Sequence, residues 1–301
     1  MSKHSARNAA DTRPAGKGAL IRTVLLLVVA VAVGFGVGML VFSRTPLPET
    51  PHAVVSGGGS LTGKSSVTAE ELDDVLGTYT YNGNTTNVTV RQAIEESSSL
   101  EAVQNEDGTY ELPSSDAVLS IARNSILLQE AAARNVLATD EEALAYAKDT
   151  LGTDDYATIA SSYHMSAQKV KEQMQSAATI RKLKESVVTT KSIAQPQAPE
   201  PAEEGEEDTP QEGYATYVIG LLGDEWDSNA NTWARENGAF REALRDYTIS
   251  NDAAAYSAAQ AAYYVAHTQY AAIEQQVSKE WTGFVNERLS QATVQLSSLV
   301  A

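Results

Sequence analysis

The chain has 301 residues and no cysteine, and its 39 Asp and Glu residues against 22 Lys and Arg give a formal net charge of −17. The lack of cysteine excludes disulfides, thiolate metal sites, a cysteine nucleophile and a lipid-bearing cysteine. From Thr45 onward 38 acidic residues face 16 basic ones, and such an acidic surface repels phosphate backbones, which argues against a nucleic-acid partner.

A run of 21 uncharged residues, 23–43, follows a basic N-terminal tail. A helix of this length rises about 1.5 Å per residue and so matches the roughly 30 Å hydrocarbon core of a bilayer. The basic residues lie on its N-terminal side, which predicts a cytoplasmic tail at 1–22, a transmembrane signal-anchor at 23–43 and an extracytoplasmic remainder of the chain. A cleaved signal peptide would have a shorter apolar core and a small-x-small cleavage site, so we favour a single-pass protein of the cell membrane.

Residues 44–66 are rich in Pro, Gly and Ser, which predicts a flexible linker. Within them residues 58–65 match the phosphate-loop pattern GxxxxGK[ST], but no buried strand precedes the match, so we predict no nucleotide site. A capping box at Thr68 predicts a short helix ending at Leu76. Alternating Tyr, Thr and Val residues around Asn82 and Gly83 then predict a β-hairpin.

Four helices with clear start signals are predicted within residues 113–188. The first has a broad apolar arc and ends near Asn135, which is typical of a central, mostly buried helix. Gly152 ends the second helix, and the fourth carries a Lys- and Arg-rich face opposite its apolar side. The four helices begin at caps formed by Ser114, Thr139, Asp154 or Asp155, and Ser166.

At this point the chain resembles a known family. Residues 127–136 (LLQEAAARNV), the run TDEE at 139–142 and the run YHMS at 163–166 are similar to motifs of the N-terminal chaperone domain of SurA/PrsA/PpiD-type foldases. The resemblance covers residues 68–188 and implies a helical, SurA N-like domain that binds unfolded polypeptides. Asn135 and His164 stand where the family has glycine, and both residue types tolerate left-handed backbone geometry.

The foldases of this family often carry a parvulin prolyl-isomerase domain after the helical unit. Here residues 190–213 are acidic and Pro-rich, which predicts a disordered linker, and nothing beyond them alternates as strands do. The resemblance therefore implies a chaperone without isomerase chemistry, although a degenerate isomerase stays open. The four histidines are isolated in sequence, so we predict no catalytic, metal or cofactor site, and hence no enzyme.

Two helices are predicted in the C-terminal region, residues 214–301. One runs from Gly223 to about Tyr247, and an Ala-rich helix of about 48 residues then runs from Asn251 to Leu299, breaking near Gly283 or pairing as a coiled coil. In the resembled family a C-terminal helix packs back on the N-terminal domain, so the same is expected here.

The stripe of tyrosines and tryptophans along the C-terminal helix has two interpretations. It forms either an adaptable aromatic surface for unfolded chains or a helix–helix core. On the first interpretation the residues that bind unfolded clients are Tyr156, Tyr163, Met174, Tyr263, Tyr264, Tyr270, Trp281 and Phe284.

The sequence as a whole predicts a mainly α fold: one transmembrane helix, a SurA N-like domain at 67–189 with a small β-hairpin, a linker, and long C-terminal helices. The predicted function is that of a membrane-anchored extracytoplasmic chaperone for unfolded or newly exported polypeptides. The alternative is a cell-envelope scaffolding protein that acts through its long C-terminal helix. That helix also leaves a homodimer open.

Overall fold

The computed structural model describes residues 61–297, which form two compact units. The first unit consists of residues 61–187 together with residues 282–297, and the second is Val188–Trp281. Residues 282–297 are thus part of the same unit as the hairpin and the four helices.

A three-stranded antiparallel sheet opens the first unit. Its central strand, β2 (Val75–Tyr81), pairs with β3 (Asn84–Thr89) and confirms the predicted hairpin. Asn82 and Gly83 have φ of 49° and 78°, the left-handed values that a two-residue hairpin loop requires. The other edge of β2 pairs with a strand from the C-terminal end, β7 (Thr293–Leu296), as an antiparallel neighbour. Two shorter strands, β1 (Ser66–Val67) and β4 (Tyr110–Glu111), pair separately.

Six helices belong to this part of the chain, and the four long ones confirm the sequence prediction. Thr139 and Glu142 form the predicted capping box, since the Thr139 N–H donates to Glu142 Oε2 at 2.7 Å. Asn135 and His164 have φ of 56° and 55°, which is the geometry expected where the resembled family has glycine. The helices are α1 (Val90–Glu95), α2 (Leu100–Val103), α3 (Ser115–Ala133), α4 (Asp140–Leu151), α5 (Tyr156–Tyr163) and α6 (Ala167–Val187).

Two apolar cores stabilise the first unit. One lies between the sheet and the first half of α3, where Val118 is fully buried and the side chains of Val294 and Leu296 from β7 pack against it. The other lies among α4, α5 and α6. Because α3 and β7 are distant in sequence, the first core depends on the return of the C-terminal strand.

The second unit has its own apolar core, built mainly of Ala, Leu and aromatic side chains. A long helix, α9 (Tyr256–Leu289), contributes its first turns to this core and continues past residue 281 into the first unit. The remaining elements are α7 (Glu212–Leu222), a 3-10 turn at Gly223–Glu225, the strand pair β5 (Trp226–Asp227) and β6 (Thr232–Trp233), and α8 (Ala239–Ala243).

The predicted mainly α fold with a single hairpin is wrong. About 53% of the described residues are helical and 12% are in strands, and the strands form three small sheets in residues 61–297. The predicted 48-residue helix has 34 residues and ends at Leu289, and the chain then returns as β7. In β7 exposed Thr293 and Gln295 alternate with half-buried Val294 and Leu296, a period of two that is too short to outweigh the helical pattern before it.

The predicted transmembrane helix has no counterpart in residues 61–297, where no helix combines the length and the apolar character needed to cross a bilayer. The run on which that prediction depends, residues 23–43, lies outside the described residues, as do the basic tail and most of the first linker.

Two further helices predicted within residues 61–297 are wrong. The helix opened by Thr68 is a single 3-10 turn, Ala69–Glu71, because the chain joins β2 from Val75 onward. In place of the helix predicted from Gly223 to Tyr247, the chain forms a 3-10 turn, the strands β5 and β6, and only the five-residue α8. Asp227 accepts backbone N–H groups of the next residues at 2.9 and 3.1 Å, and such Asx turns compete with helix formation.

Candidate polypeptide-binding surface

The three candidate client-binding residues of the helical unit lie in its core. Met174 on α6 is 3% exposed, and Tyr156 and Tyr163 on α5 are half-buried against the same α4–α5–α6 core. Burial raises the pKa of the Tyr156 hydroxyl. The helix–helix interpretation of these residues is therefore the one that fits the structure, and no client-binding surface forms around Met174 in this conformation.

Phe284, another of the candidate client-binding residues, contacts two arginine side chains of the first unit. Two guanidinium groups lie over its ring, with Arg134 at 5.1 Å and Arg288 at 5.3 Å from the ring centroid. A cation near a ring face is attracted by the ring quadrupole. Trp281 is half-buried and is the last residue of the second unit.

Phe284 borders a polar cluster that we call the Glu130 cluster: Tyr81, Glu130, Arg134 and Arg288. The Tyr81 hydroxyl donates to Glu130 Oε1 at 2.8 Å, Arg134 forms an ion pair with Glu130 Oε2, and Arg288 Nε lies 3.6 Å from the same oxygen. Glu130 is 7% exposed and Tyr81 is 1% exposed. The cluster thus joins β2, α3 and the last turn of α9 inside the first unit.

The electrostatics of the Glu130 cluster favour an ionised carboxylate. Burial opposes ionisation of Glu130, but the hydrogen bonds from Tyr81 and Arg134 and the charges of Arg134 and Arg288 outweigh it, and the pKa of Glu130 lies below its usual value. Burial, followed by the proximity of Glu130, raises the pKa of Tyr81. Both pKa shifts keep the Tyr81 phenol neutral and the Glu130 carboxylate charged, so that the phenol donates a hydrogen bond to the carboxylate. This arrangement stabilises the fold.

Three of the predicted residues come together on the surface of α9. Tyr263, Tyr264 and Tyr270, with His267 between them, form what we call the exposed aromatic row. The ring centroids of Tyr263 and Tyr264 are 5.9 Å apart, and the His267 ring lies 5.7 Å from Tyr263 and 6.3 Å from Tyr270. Tyr264 is 65% exposed. The spacing of three and four residues places these rings along one side of the helix.

The surroundings of the exposed aromatic row are uncharged along the helix but acidic overall. Residues 256–273 contain no Asp, Glu, Lys or Arg, while residues 188–281 contain sixteen acidic and five basic side chains. Such a surface offers aromatic faces and hydroxyl groups to a ligand within a negative field. Among the described residues no group of three or more His, Asp or Glu side chains is arranged to hold a metal ion.

A shallow open cavity of about 520 Å³ lies on the first unit, between α2 and the turn joining α5 to α6. Its lining includes Ser99, His164 and Met165, and the Ser99 N–H donates to the His164 carbonyl at 3.1 Å. These side chains do not form a nucleophile, base and orienting group in hydrogen-bond contact, so the cavity suggests no reaction.

One half-buried carboxylate in the second unit accepts five hydrogen bonds. Glu280 on α9 binds the N–H and hydroxyl groups of Thr189 and Thr190, at 2.6 to 3.2 Å, and the side chain of Gln276 at 3.0 Å. The hydroxyl of Thr190, followed by Gln276 and the backbone groups, lowers the pKa of Glu280 to about 2. Glu280 thereby fixes the first residues of the second unit to the last turn that α9 contributes to it.

We expect the Glu280→Gln variant to unfold at a lower temperature than wild type at pH 7. A depressed carboxyl pKa stabilises the fold above the unfolded-state pKa, near 4.5, and this contribution disappears as the pH falls towards about 2. The difference in Tm between the two proteins should therefore be constant from pH 7 to 5 and shrink below pH 4.5. A difference that is unchanged at pH 2.5 would show that the ionised carboxylate is not what stabilises this contact.

Several residues of these sites were missed in the sequence. His267 is isolated from the other histidines in the sequence, but its spacing from Tyr263 and Tyr270 matches one helical face. Tyr214 and Tyr217 lie three residues apart on α7, and both donate hydrogen bonds through their hydroxyls. Tyr81 and Glu130 are 49 residues apart, and no local pattern links them.

Comparison with known proteins leaves these sites without a template. No family model, no curated protein and no solved structure matches the chain. The resemblance to SurA/PrsA/PpiD-type foldases therefore stays a prediction from the residues that carry it.

Proposed function

We propose that this chain is a chaperone of the holdase type, which binds unfolded polypeptides on the exposed aromatic row and performs no chemistry on them. The observation that carries the proposal is the row itself: four adjacent rings on one side of an uncharged helical stretch, with Tyr264 exposed over 65% of its surface. Aromatic side chains offer large contact areas and specific ring geometries, which suits a ligand with no fixed shape.

The negative charge of the chain supports the same function. A formal net charge of −17 opposes close approach of two copies, so an exposed aromatic surface is less prone to self-association. The field also attracts basic segments of an unfolded client and keeps the bound client soluble.

The architecture of the first unit is a second support. A β-hairpin, four helices and left-handed residues at Asn135 and His164 occur in the order expected from the resemblance to foldases. The last turn of α9 and β7 pack within this unit, which is what the resemblance implies for a C-terminal helix.

Light scattering of a chemically unfolded client, diluted into buffer with the full chain, tests the proposal. We expect wild type to suppress aggregation at a few-fold molar excess, and we expect a Tyr264→Ala/Tyr270→Ala variant to lose most of this effect. Tyr247→Ala is the matched control, since Tyr247 is also a tyrosine of the second unit, 38% exposed, and lies outside the row. Equal suppression by all three proteins would show that the row is not the binding surface.

A further inference from the structure

A proline-rich segment of the second unit packs against the protein, and every third residue of the segment is buried or half-buried. Residues 194–202 (AQPQAPEPA) lie outside helices and strands. Pro199 is buried, and Pro196 and Ala202, three residues to either side, are half-buried, whereas the residues between them are exposed. A polyproline II helix has three residues per turn, so every third side chain lies on one face. The burial pattern is that of a polyproline II segment with one face against the protein.

The hydrogen bonds to this segment have the same repeat. The Tyr217 hydroxyl donates to the Gln197 carbonyl at 2.6 Å, and the Tyr214 hydroxyl donates to the Glu200 carbonyl at 3.2 Å. The two carbonyls are three residues apart, as are the two tyrosines on α7, and residues three apart share a helix face. The spacing of the donors therefore matches the spacing of the acceptors.

The groove that receives the segment is aromatic. The ring of Tyr214 lies 5.5 Å from the ring of Tyr256 on α9, at an interplanar angle of 52°. Burial, and to a smaller extent the nearby Tyr263, raises the pKa of Tyr217, which keeps its hydroxyl protonated as a donor. We call the surface formed by Tyr214, Tyr217 and Tyr256 the proline groove. Aromatic-lined grooves are a recurring means of recognising polyproline II chains.

We propose that the proline groove is a binding site for Pro-x-x-Pro segments of other polypeptides, and that residues 196–202 of the chain itself occupy it in this structure. The contacts are to backbone carbonyls and to every third side chain, so the groove recognises the spacing of the prolines, and the exposed positions between them are free to vary. This inference does not require clients to bind the exposed aromatic row, although Tyr263 of that row lies near Tyr217 of the groove.

Occupation by the chain's own segment has a measurable consequence. A tethered ligand acts at an effective concentration in the millimolar range, so an external peptide binds only the fraction of molecules whose groove is open. Weakening the internal segment should therefore strengthen binding of the same sequence supplied as a separate peptide.

Fluorescence anisotropy of a labelled peptide of sequence AQPQAPEPA, titrated with the full chain, tests the proposal. We expect a Pro196→Ala/Pro199→Ala variant of the chain to bind this peptide about tenfold or more tightly than wild type does. Adding Tyr217→Phe to that variant should weaken binding about five- to tenfold, because one hydrogen bond to a carbonyl is lost. A peptide in which the two prolines of the Pro-x-x-Pro unit, those that correspond to Pro196 and Pro199, are changed to Ala should bind at least tenfold more weakly.

The result that would overturn the proposal is a folded variant with an open groove that binds the peptide no better than wild type. Circular dichroism and the Tm of the variant establish that it is folded. If the double substitution unfolds the second unit, a variant with Gly and Ser in place of residues 196–202 is used for the same titration instead. Equal affinity of that variant for the peptides with and without prolines would also overturn the proposal.

Discussion

Replacing Glu130 by Ala is expected to lower the free energy of unfolding of the first unit by about 3–5 kcal/mol, the range observed when one partner of a buried charged pair is removed. The carboxylate of Glu130 accepts the Tyr81 hydroxyl and neutralises Arg134 and Arg288, so its loss leaves a buried phenol and two partly buried guanidinium groups without their shared acceptor. Urea unfolding, followed by circular dichroism and by amide exchange in β2 and β7, measures the effect.

Tyr81→Phe is the control for this measurement, because it removes one hydrogen bond and keeps the ring in the core. We expect it to lower the free energy of unfolding by only about 1 kcal/mol. If Glu130→Ala were no more destabilising than Tyr81→Phe, the Glu130 cluster would not be what joins the end of α9 to β2 and α3.

Gly77→Val is expected to weaken the docking of β7 and to destabilise the first unit by about 1–3 kcal/mol, the usual cost of an overpacked core. A Cβ atom at position 77 would lie 2.8 Å from Val118 Cγ1 and 2.9 Å from the carbonyl oxygen of Gln295. Position 77 is where β2 contacts both α3 and β7, so neither neighbour can move without losing contacts. Faster amide exchange at Ser297, whose N–H donates to the Leu76 carbonyl at 3.0 Å, would locate the effect in β7.

Gly283→Ala is the matched control for Gly77→Val. Position 283 lies within α9. Apart from its chain neighbours and the nearby backbone of α9, a Cβ atom there would have no heavy atom within 4 Å. An open helical glycine replaced by alanine should stabilise the protein by about 0.5–1 kcal/mol. Tolerance of Val at position 77 would contradict the pairing of β7 with β2.

The helices of the first unit could be predicted because their signals are local. The caps at Thr139 and Asp155, the stop at Gly152 and the turn at Asn82 and Gly83 each act over a few residues, and the structure confirms them. Local signals also explain why Asn135 and His164 take the same backbone geometry as glycine.

Features that depend on distant residues could not be predicted. β7 becomes a strand only because β2 offers it an edge, more than 200 residues earlier in the sequence. The Glu130 cluster combines residues from a strand and two helices. The proline-rich segment contains no sign of its own docking, since its partners, Tyr214 and Tyr217, lie 14 and 20 residues away from the carbonyls that they bind.

The placement of the candidate binding residues shows the same limit. Tyr156 and Met174 are residue types that can also bind clients at a surface, yet they pack in and against the core that α4, α5 and α6 form. Tyr264 is likewise a helical tyrosine, and it is on the surface, 65% exposed. Which aromatic residues are exposed depends on which helices are neighbours, and the sequence pattern of one helix does not contain that information.

The chaperone proposal is tested best by the amount of light scattered by an unfolded client in the presence of the full chain. The proposal predicts that wild type suppresses aggregation at a few-fold molar excess and that Tyr264→Ala/Tyr270→Ala loses most of this suppression while keeping the wild-type Tm. Unchanged aggregation of the client at several-fold excess of the wild-type chain would contradict it.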